Sequence, residues 1–76
     1  MIFDQNWRVK EGLLSPREFE VLELIARGCK NLQIAQALAI EERTVRFHVE
    51  NILDKFKVNN RTEAVGHAFR LGWITN

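Results

Sequence analysis

The clearest helical pattern in the chain lies at residues 42–57, ERTVRFHVENILDKFK. Its apolar side chains recur at helical spacing, and they are Val45, Val49, Ile52, Leu53 and Phe56. At about 100° per residue these positions fall within an arc of roughly 100°. The stretch therefore predicts a helix with one buried face, around which the other elements pack.

The opposite side of this helix differs from an ordinary solvated face. It carries two rows of side chains, one of Arg46, Phe47 and Glu50 and a second of Thr44, His48, Asn51 and Lys55. Taken singly, Arg46 or His48 would be an ordinary surface residue. A solvent-facing Phe47 is harder to explain that way, because exposed aromatic side chains often mark an interface. The composition is typical of a helix that contacts another macromolecule.

The first helix is predicted over residues 16–27. Ser15 suits its N-cap, Pro16 its first position, and Glu18 the third position of a capping box. Gly28 ends it, because glycine readily takes a positive φ after a helix. We expect Glu18 to combine its capping role with an ion pair, for which Arg61 is a plausible partner.

A short second helix over residues 31–38 precedes the long one. Asn31 is expected to cap it, and its apolar face consists of Ile34, Ala35 and Leu38. Residues 39–41 then leave room for a tight connection, with Ile40 expected to be buried. A short helix, a three-residue turn and a long helix form the helix-turn-helix layout.

The last helix is predicted over residues 61–71, where Asn60 and Glu63 form a second capping pattern. Its apolar positions span roughly 160°, wider than one core contact needs. We assign Val65 and Phe69 to the core, and we assign a stripe of Ala64, Ala68 and Leu71 to self-association. The alternative is that Trp73 and Ile74 fold back and cover this stripe.

These elements predict an all-α, four-helix domain over residues 13–76, preceded by an arm or linker at 1–12. A chain of 76 residues with 46% hydrophobic and 28% charged composition supports one small globular domain. The single Cys29 excludes an internal disulfide. No apolar run reaches the roughly 18 residues of a membrane span, and no signal peptide is evident, so we expect a cytoplasmic location.

The sequence gives no support for catalysis. We find no paired carboxylates at useful spacing, no Cys/His metal set and no glycine-rich phosphate loop. We therefore expect neither enzyme activity nor a cofactor or metal.

Three segments together resemble the LuxR-type helix-turn-helix DNA-binding domain, also called the GerE or NarL/FixJ type. They are LSPREFEVLELIARG, NLQIAQALAI and RTVRFHVENILDKFKVNNRTEAV, and the resemblance covers residues 13–74. It implies a transcription regulator that binds double-stranded DNA, usually as a homodimer through its last helix. RNA polymerase and an upstream receiver or ligand-binding domain are further partners that it implies.

The resemblance also implies roles for single residues. The third helix would lie in the major groove, with Arg46, Phe47 and Glu50 toward base edges. The phosphate-contacting set would be Lys30, Asn31, Thr44, His48, Asn51 and Lys55. The dimer interface would combine the apolar stripe with its neighbour, which gives Ala64, His67, Ala68 and Leu71.

Several positions depart from the family pattern. Lys30 stands where serine or threonine is common, Leu32 where lysine or arginine is common, and Glu50 where several relatives carry lysine. Residues 42–57 hold four cationic and three acidic side chains, so the field of this helix is weak. We expect moderate affinity per subunit. The alternative function is a protein-interaction module that pairs with a DNA-binding relative through its last helix.

Overall fold

The computed structural model describes residues 13–74, so the predicted arm at 1–12 lies outside the described residues. Within that range the chain forms four helices and no strand: α1 (Pro16–Ala26), α2 (Asn31–Leu38), α3 (Glu42–Phe56) and α4 (Arg61–Arg70). Each helix begins at the predicted residue and ends within one residue of the predicted end. The all-α fold is confirmed.

The predicted start of α1 is confirmed in detail. The Ser15 Oγ accepts from the Glu18 amide at 3.1 Å, and the Glu18 carboxylate accepts from the Ser15 amide at 2.9 Å. Gly28 follows the helix with φ +92°, where a side chain would be strained. Both ends of α1 therefore use the residue types that the sequence indicated.

The N-cap of α2 differs from the prediction, although the helix begins at the predicted residue. Asn31 is the first helical residue and Lys30 occupies the N-cap, where the Lys30 amide donates to Gln33 Oε1 at 2.7 Å. A lysine side chain has no acceptor, so Lys30 cannot accept a hydrogen bond from the backbone of α2. Only one of the two hydrogen bonds of a capping box therefore forms here. The Asn31 side chain does not cap α2 and accepts a hydrogen bond from Arg61 instead.

The turn between α2 and α3 contains a left-handed residue that its sequence does not predict. Ala39 ends α2 in the left-handed region, with φ 58° and ψ 45°. This conformation usually selects glycine or asparagine, so alanine gives no signal for it. Ile40 is half-buried and packs against the core. This contact helps to set the angle between α2 and α3.

Helix α3 lies at the centre of the domain and contacts α1, α2 and α4. Val45, Val49, Ile52 and Phe56 are buried along its back, as predicted. Leu14 and Val21 also belong to the core, although the sequence reasoning did not assign them. Val21 lies on the buried face of α1 together with Leu22 and Ile25.

The predicted faces of α4 are wrong for Ala64, Ala68 and Phe69, whereas Val65 packs against the core and Leu71 is exposed, as predicted. Ala64 and Ala68 are buried at 1% and 0% exposure, whereas Phe69 and Leu71 are 38% and 41% exposed. Small side chains on α4 let it approach its neighbours closely, which explains why the alanines face inward.

The alternative for the chain after α4 is confirmed. Trp73 and Ile74 are buried in the same core cluster as the two alanines of α4. The Trp73 indole meets the Phe56 ring edge-on, with 5.7 Å between ring centroids. The chain therefore folds back after Gly72, which has φ +77°.

Candidate nucleic-acid interface

The exposed front of α3 carries the three side chains predicted to face bases. Arg46, Phe47 and Glu50 are all exposed, and Phe47 keeps 59% of its surface in solvent. Its ring centroid lies 6.0 Å from that of His48. Since Phe47 gains nothing from the core, its exposure on this face favours contact with a partner molecule.

The second predicted row borders this front. Thr44, His48 and Asn51 are half-buried, and Lys55 is exposed near the end of the helix. The Nδ1 atom of His48 is buried and has no hydrogen-bond partner. Its imidazole can therefore present only Nε2 to a ligand on the open side.

Lys55 has a second role that the sequence reasoning assigned to another residue. Its ammonium donates to the buried Glu18 carboxylate at 2.7 Å, so the expected pairing of Glu18 with Arg61 is wrong. Both cations were compatible with a buried acid, and only the packing of α1 on α3 decides between them. The ion pair links α1 to the last turn of α3.

Burial and hydrogen bonding act on Glu18 in opposite directions. Burial alone would raise its pKa, because it disfavours the charged carboxylate. Hydrogen bonds from Lys55 and the Ser15 amide, with the charges of Lys55 and His48, outweigh burial and lower the pKa of Glu18 below its ordinary value. The carboxylate is therefore held in its charged form.

Arg61 joins the starts of α2 and α4. Its Nη1 donates to Asn31 Oδ1 at 2.6 Å, and its Nη2 donates to the Cys29 carbonyl at 3.1 Å. Arg61 thus holds the Asn31 side chain, which was predicted as a cap and a phosphate contact, at the N-terminus of α2. Its amide nitrogen is the part left for an outside acceptor.

The free positive charge near α3 is smaller than its composition suggests. Arg43 pairs with Glu41 at 2.8 Å, and Lys55 pairs with Glu18. Of the four cations in residues 42–57, Arg46 and Lys57 therefore have no ion-pair partner. Among the other described residues the same holds for Arg27, Lys30, Arg61 and Arg70. On this part of the chain, Arg46 and Lys57 would supply most of the attraction to a polyanion.

The predicted dimer residues separate into two groups. Ala64 and Ala68 are enclosed by the core, so their side chains cannot meet a second chain in this fold. Leu71 is exposed, and His67 is half-buried with its ring centroid 4.6 Å from that of Phe56. A dimer contact on α4 must therefore use the Leu71 side rather than the alanine stripe.

Two other kinds of site are absent from residues 13–74. No group of three or more His, Cys, Asp or Glu side chains there is placed to hold a metal ion. None of the helices in that range has the length and hydropathy needed to cross a bilayer.

The α2–turn–α3 pair, with its buried back and its front of Arg46 and Phe47, defines a helix-turn-helix domain. The chain belongs to the luxR family of bacterial regulatory proteins, whose family model matches residues 12–68. Its class is therefore that of DNA-binding transcription regulators of the LuxR/GerE type, as the sequence resemblance indicated. A solved structure described as transcription factor GerE superposes with a TM-score of 0.78 and 36% identity, covering 83% of this chain and 94% of that one.

Curated relatives agree with this class. The chain is 48% identical over 69 residues to the transcriptional regulatory protein DegU of Brevibacillus brevis, covering 91% of this chain and 29% of that protein. It is 50% identical over 58 residues to the response regulator protein VraR of Staphylococcus aureus, covering 76% of this chain and 28% of that protein. The chain thus spans less than a third of the length of these relatives.

Proposed function

We propose that this domain reads double-stranded DNA by placing α3 in the major groove. The observation that carries the proposal is the exposed front of α3, where Arg46 and Phe47 stand opposite a fully buried stripe. A helix of this width fits the major groove, where each base pair presents a distinct pattern of donors, acceptors and methyl groups.

The side chains of the front suggest which bases they read. Arg46 can donate two hydrogen bonds to guanine O6 and N7, and Phe47 can contact a thymine methyl group. Glu50 can accept from cytosine N4, but its charge repels phosphate, so it must point toward the groove centre. We therefore expect each half-site to contain guanine, thymine and cytosine at neighbouring positions.

The phosphate contacts are proposed for Lys30, Asn31, Thr44, His48, Asn51 and Lys55. Lys55 remains 38% exposed while bonded to Glu18, so its ammonium has donors left for a phosphate oxygen. Because residues 42–57 keep only two cations without an ion-pair partner, Arg46 and Lys57, one subunit is expected to bind weakly. Binding to two half-sites as a homodimer would raise the overall affinity without any new base contact.

The dimer contact is proposed on the exposed side of α4, with Leu71 and His67. RNA polymerase and an upstream receiver or ligand-sensing domain are proposed partners, because the relatives include response regulators. A cytoplasmic location follows from this role.

One observation favours the alternative, a protein-interaction module that pairs with a DNA-binding relative. Leu32 is 56% exposed at the start of α2, where a cation would strengthen phosphate binding. The two functions differ in whether the isolated chain selects a DNA sequence.

Selection from a randomised duplex library, followed by binding measurements at two salt concentrations, tests the proposal. We expect an enriched motif with two half-sites. Two cationic phosphate contacts per subunit, from Lys30 and Lys55, predict a slope of log affinity against log salt of about −3 to −4 for the dimer. Absence of any enriched motif at low salt would favour the interaction module.

A further inference from the structure

An open groove of about 670 Å³ lies where the end of α1 meets the starts of α2 and α4. Its walls come from three separate parts of the chain, and the lining residues are Ile25, Gly28, Cys29, Lys30, Asn31, Arg61, Thr62 and Val65. The base-reading residues of α3 do not line it. A groove of this volume is large enough to hold several side chains of a ligand.

The charged side chains of the groove are all cationic. Lys30 and Arg61 line it, and no aspartate or glutamate does. Arg61 donates two of its five N–H groups to neutral acceptors, the Asn31 side chain and the Cys29 carbonyl. Its charge is therefore not neutralised by these bonds, and it retains donors for an anionic ligand.

The groove also has an apolar part. Ile25 is buried at 8% exposure, and Val65 and Cys29 are half-buried beside it. Apolar surface next to a fixed guanidinium suits a ligand with an aliphatic side chain adjacent to a carboxylate. A DNA backbone would offer phosphates to the cations but would leave the apolar part uncovered.

We propose that this groove binds an extended segment of a partner protein in which acidic and aliphatic residues alternate. A carboxylate of the segment pairs with Arg61 and Lys30, and an aliphatic side chain next to it packs on Ile25 and Val65. The groove excludes the base-reading residues of α3, but it shares Lys30 and Asn31 with the proposed phosphate contacts, so a bound segment and a duplex would compete for Lys30.

The test uses the whole 76-residue chain, a defined peptide and a matched pair of variants. The probe is an acetylated, amidated five-residue peptide of alternating aspartate and leucine, titrated into labelled protein and followed by amide chemical shifts. Control peptides replace aspartate with lysine or leucine with serine. Thr62→Glu places an acid in the groove at an exposed position where the first turn of α4 tolerates negative charge, and Thr62→Gln is its neutral control.

We expect the aspartate–leucine peptide to shift the amides of Cys29, Lys30, Thr62 and Val65, and the controls to shift them much less. Thr62→Glu should weaken peptide binding at least about tenfold, since like charges across an interface repel, while Thr62→Gln should change it less than about twofold. No shift at the groove, or equal binding of the lysine peptide, would overturn the proposal. So would Thr62→Glu weakening duplex binding without peptide binding, which would assign the groove to phosphate.

Discussion

At the scale of single residues, Glu18 connects the start of α1 with the end of α3. Its carboxylate accepts from the Ser15 amide and from the Lys55 ammonium, and it is almost fully buried. The sequence predicted the cap, because a capping box is local in the chain. It could not predict the ionic partner, because Lys55 and Arg61 are both distant in sequence and only the packed fold chooses between them.

The first prediction concerns the pH dependence that Glu18 adds to stability. Since its pKa is lowered on folding, its contribution is complete above the unfolded pKa of about 4.3 and is lost as pH falls through the lower folded pKa. Glu18→Gln keeps an acceptor for the Ser15 amide but loses the charge. We expect it to reduce the free energy of unfolding by about 1–2 kcal/mol near neutral pH.

Urea unfolding at a series of pH values measures this effect. The difference between the wild type and Glu18→Gln should be constant from neutral pH down to about pH 5 and should shrink at lower pH. Arg17→Gln, on the exposed side of α1, serves as the control and should show little change. A difference that grew on acidification would show that the sign assigned to Glu18 is wrong.

At the scale of helices, the sequence predicted α3 better than α4 for a physical reason. The apolar stripe of α3 is narrow, so a single buried face can accommodate all of its apolar residues and the inward side is unambiguous. The apolar residues of α4 extend around a wide arc, and the pattern alone cannot say which part packs inward. Ala64 and Ala68 face the core because the helices approach closely there, and this leaves Phe69 and Leu71 exposed.

The second prediction concerns the exposed side of α4. Leu71→Glu should leave the stability of the domain within about 0.5 kcal/mol, because the side chain is partly exposed. It should reduce binding to a duplex with two half-sites by at least about tenfold, by removing the avidity of a dimer. Binding to one half-site should not change.

Leu71→Met is the matched control, because it keeps an apolar side chain of similar volume. Sedimentation of the protein with one-site and two-site duplexes measures the stoichiometry directly. Retention of cooperative two-site binding by Leu71→Glu would place the dimer contact elsewhere.

At the scale of the whole molecule, cationic and acidic side chains are nearly equal in number. The chain carries 11 lysine and arginine residues against 10 aspartate and glutamate residues, and ion pairs engage Arg17, Arg43 and Lys55. The sequence predicted the weak field from composition, but the individual pairs required the packed structure. Specific base contacts therefore have to provide a large share of the binding free energy, and Arg46 is the free cation best placed for this.

The most direct measurement compares Arg46→Ala with Arg17→Ala on the duplex obtained by selection, using fluorescence anisotropy at one fixed salt concentration. Both variants remove one exposed arginine, but Arg17 lies on α1 and pairs with Glu20. Loss of a bidentate contact to guanine should cost Arg46→Ala about 1–3 kcal/mol, or about 5- to 150-fold in affinity, and should relax the preference for guanine at one position. Arg17→Ala should change affinity less than about twofold. Equal affinities for the two variants, with the guanine preference intact, would contradict the assignment of α3 as the reading helix.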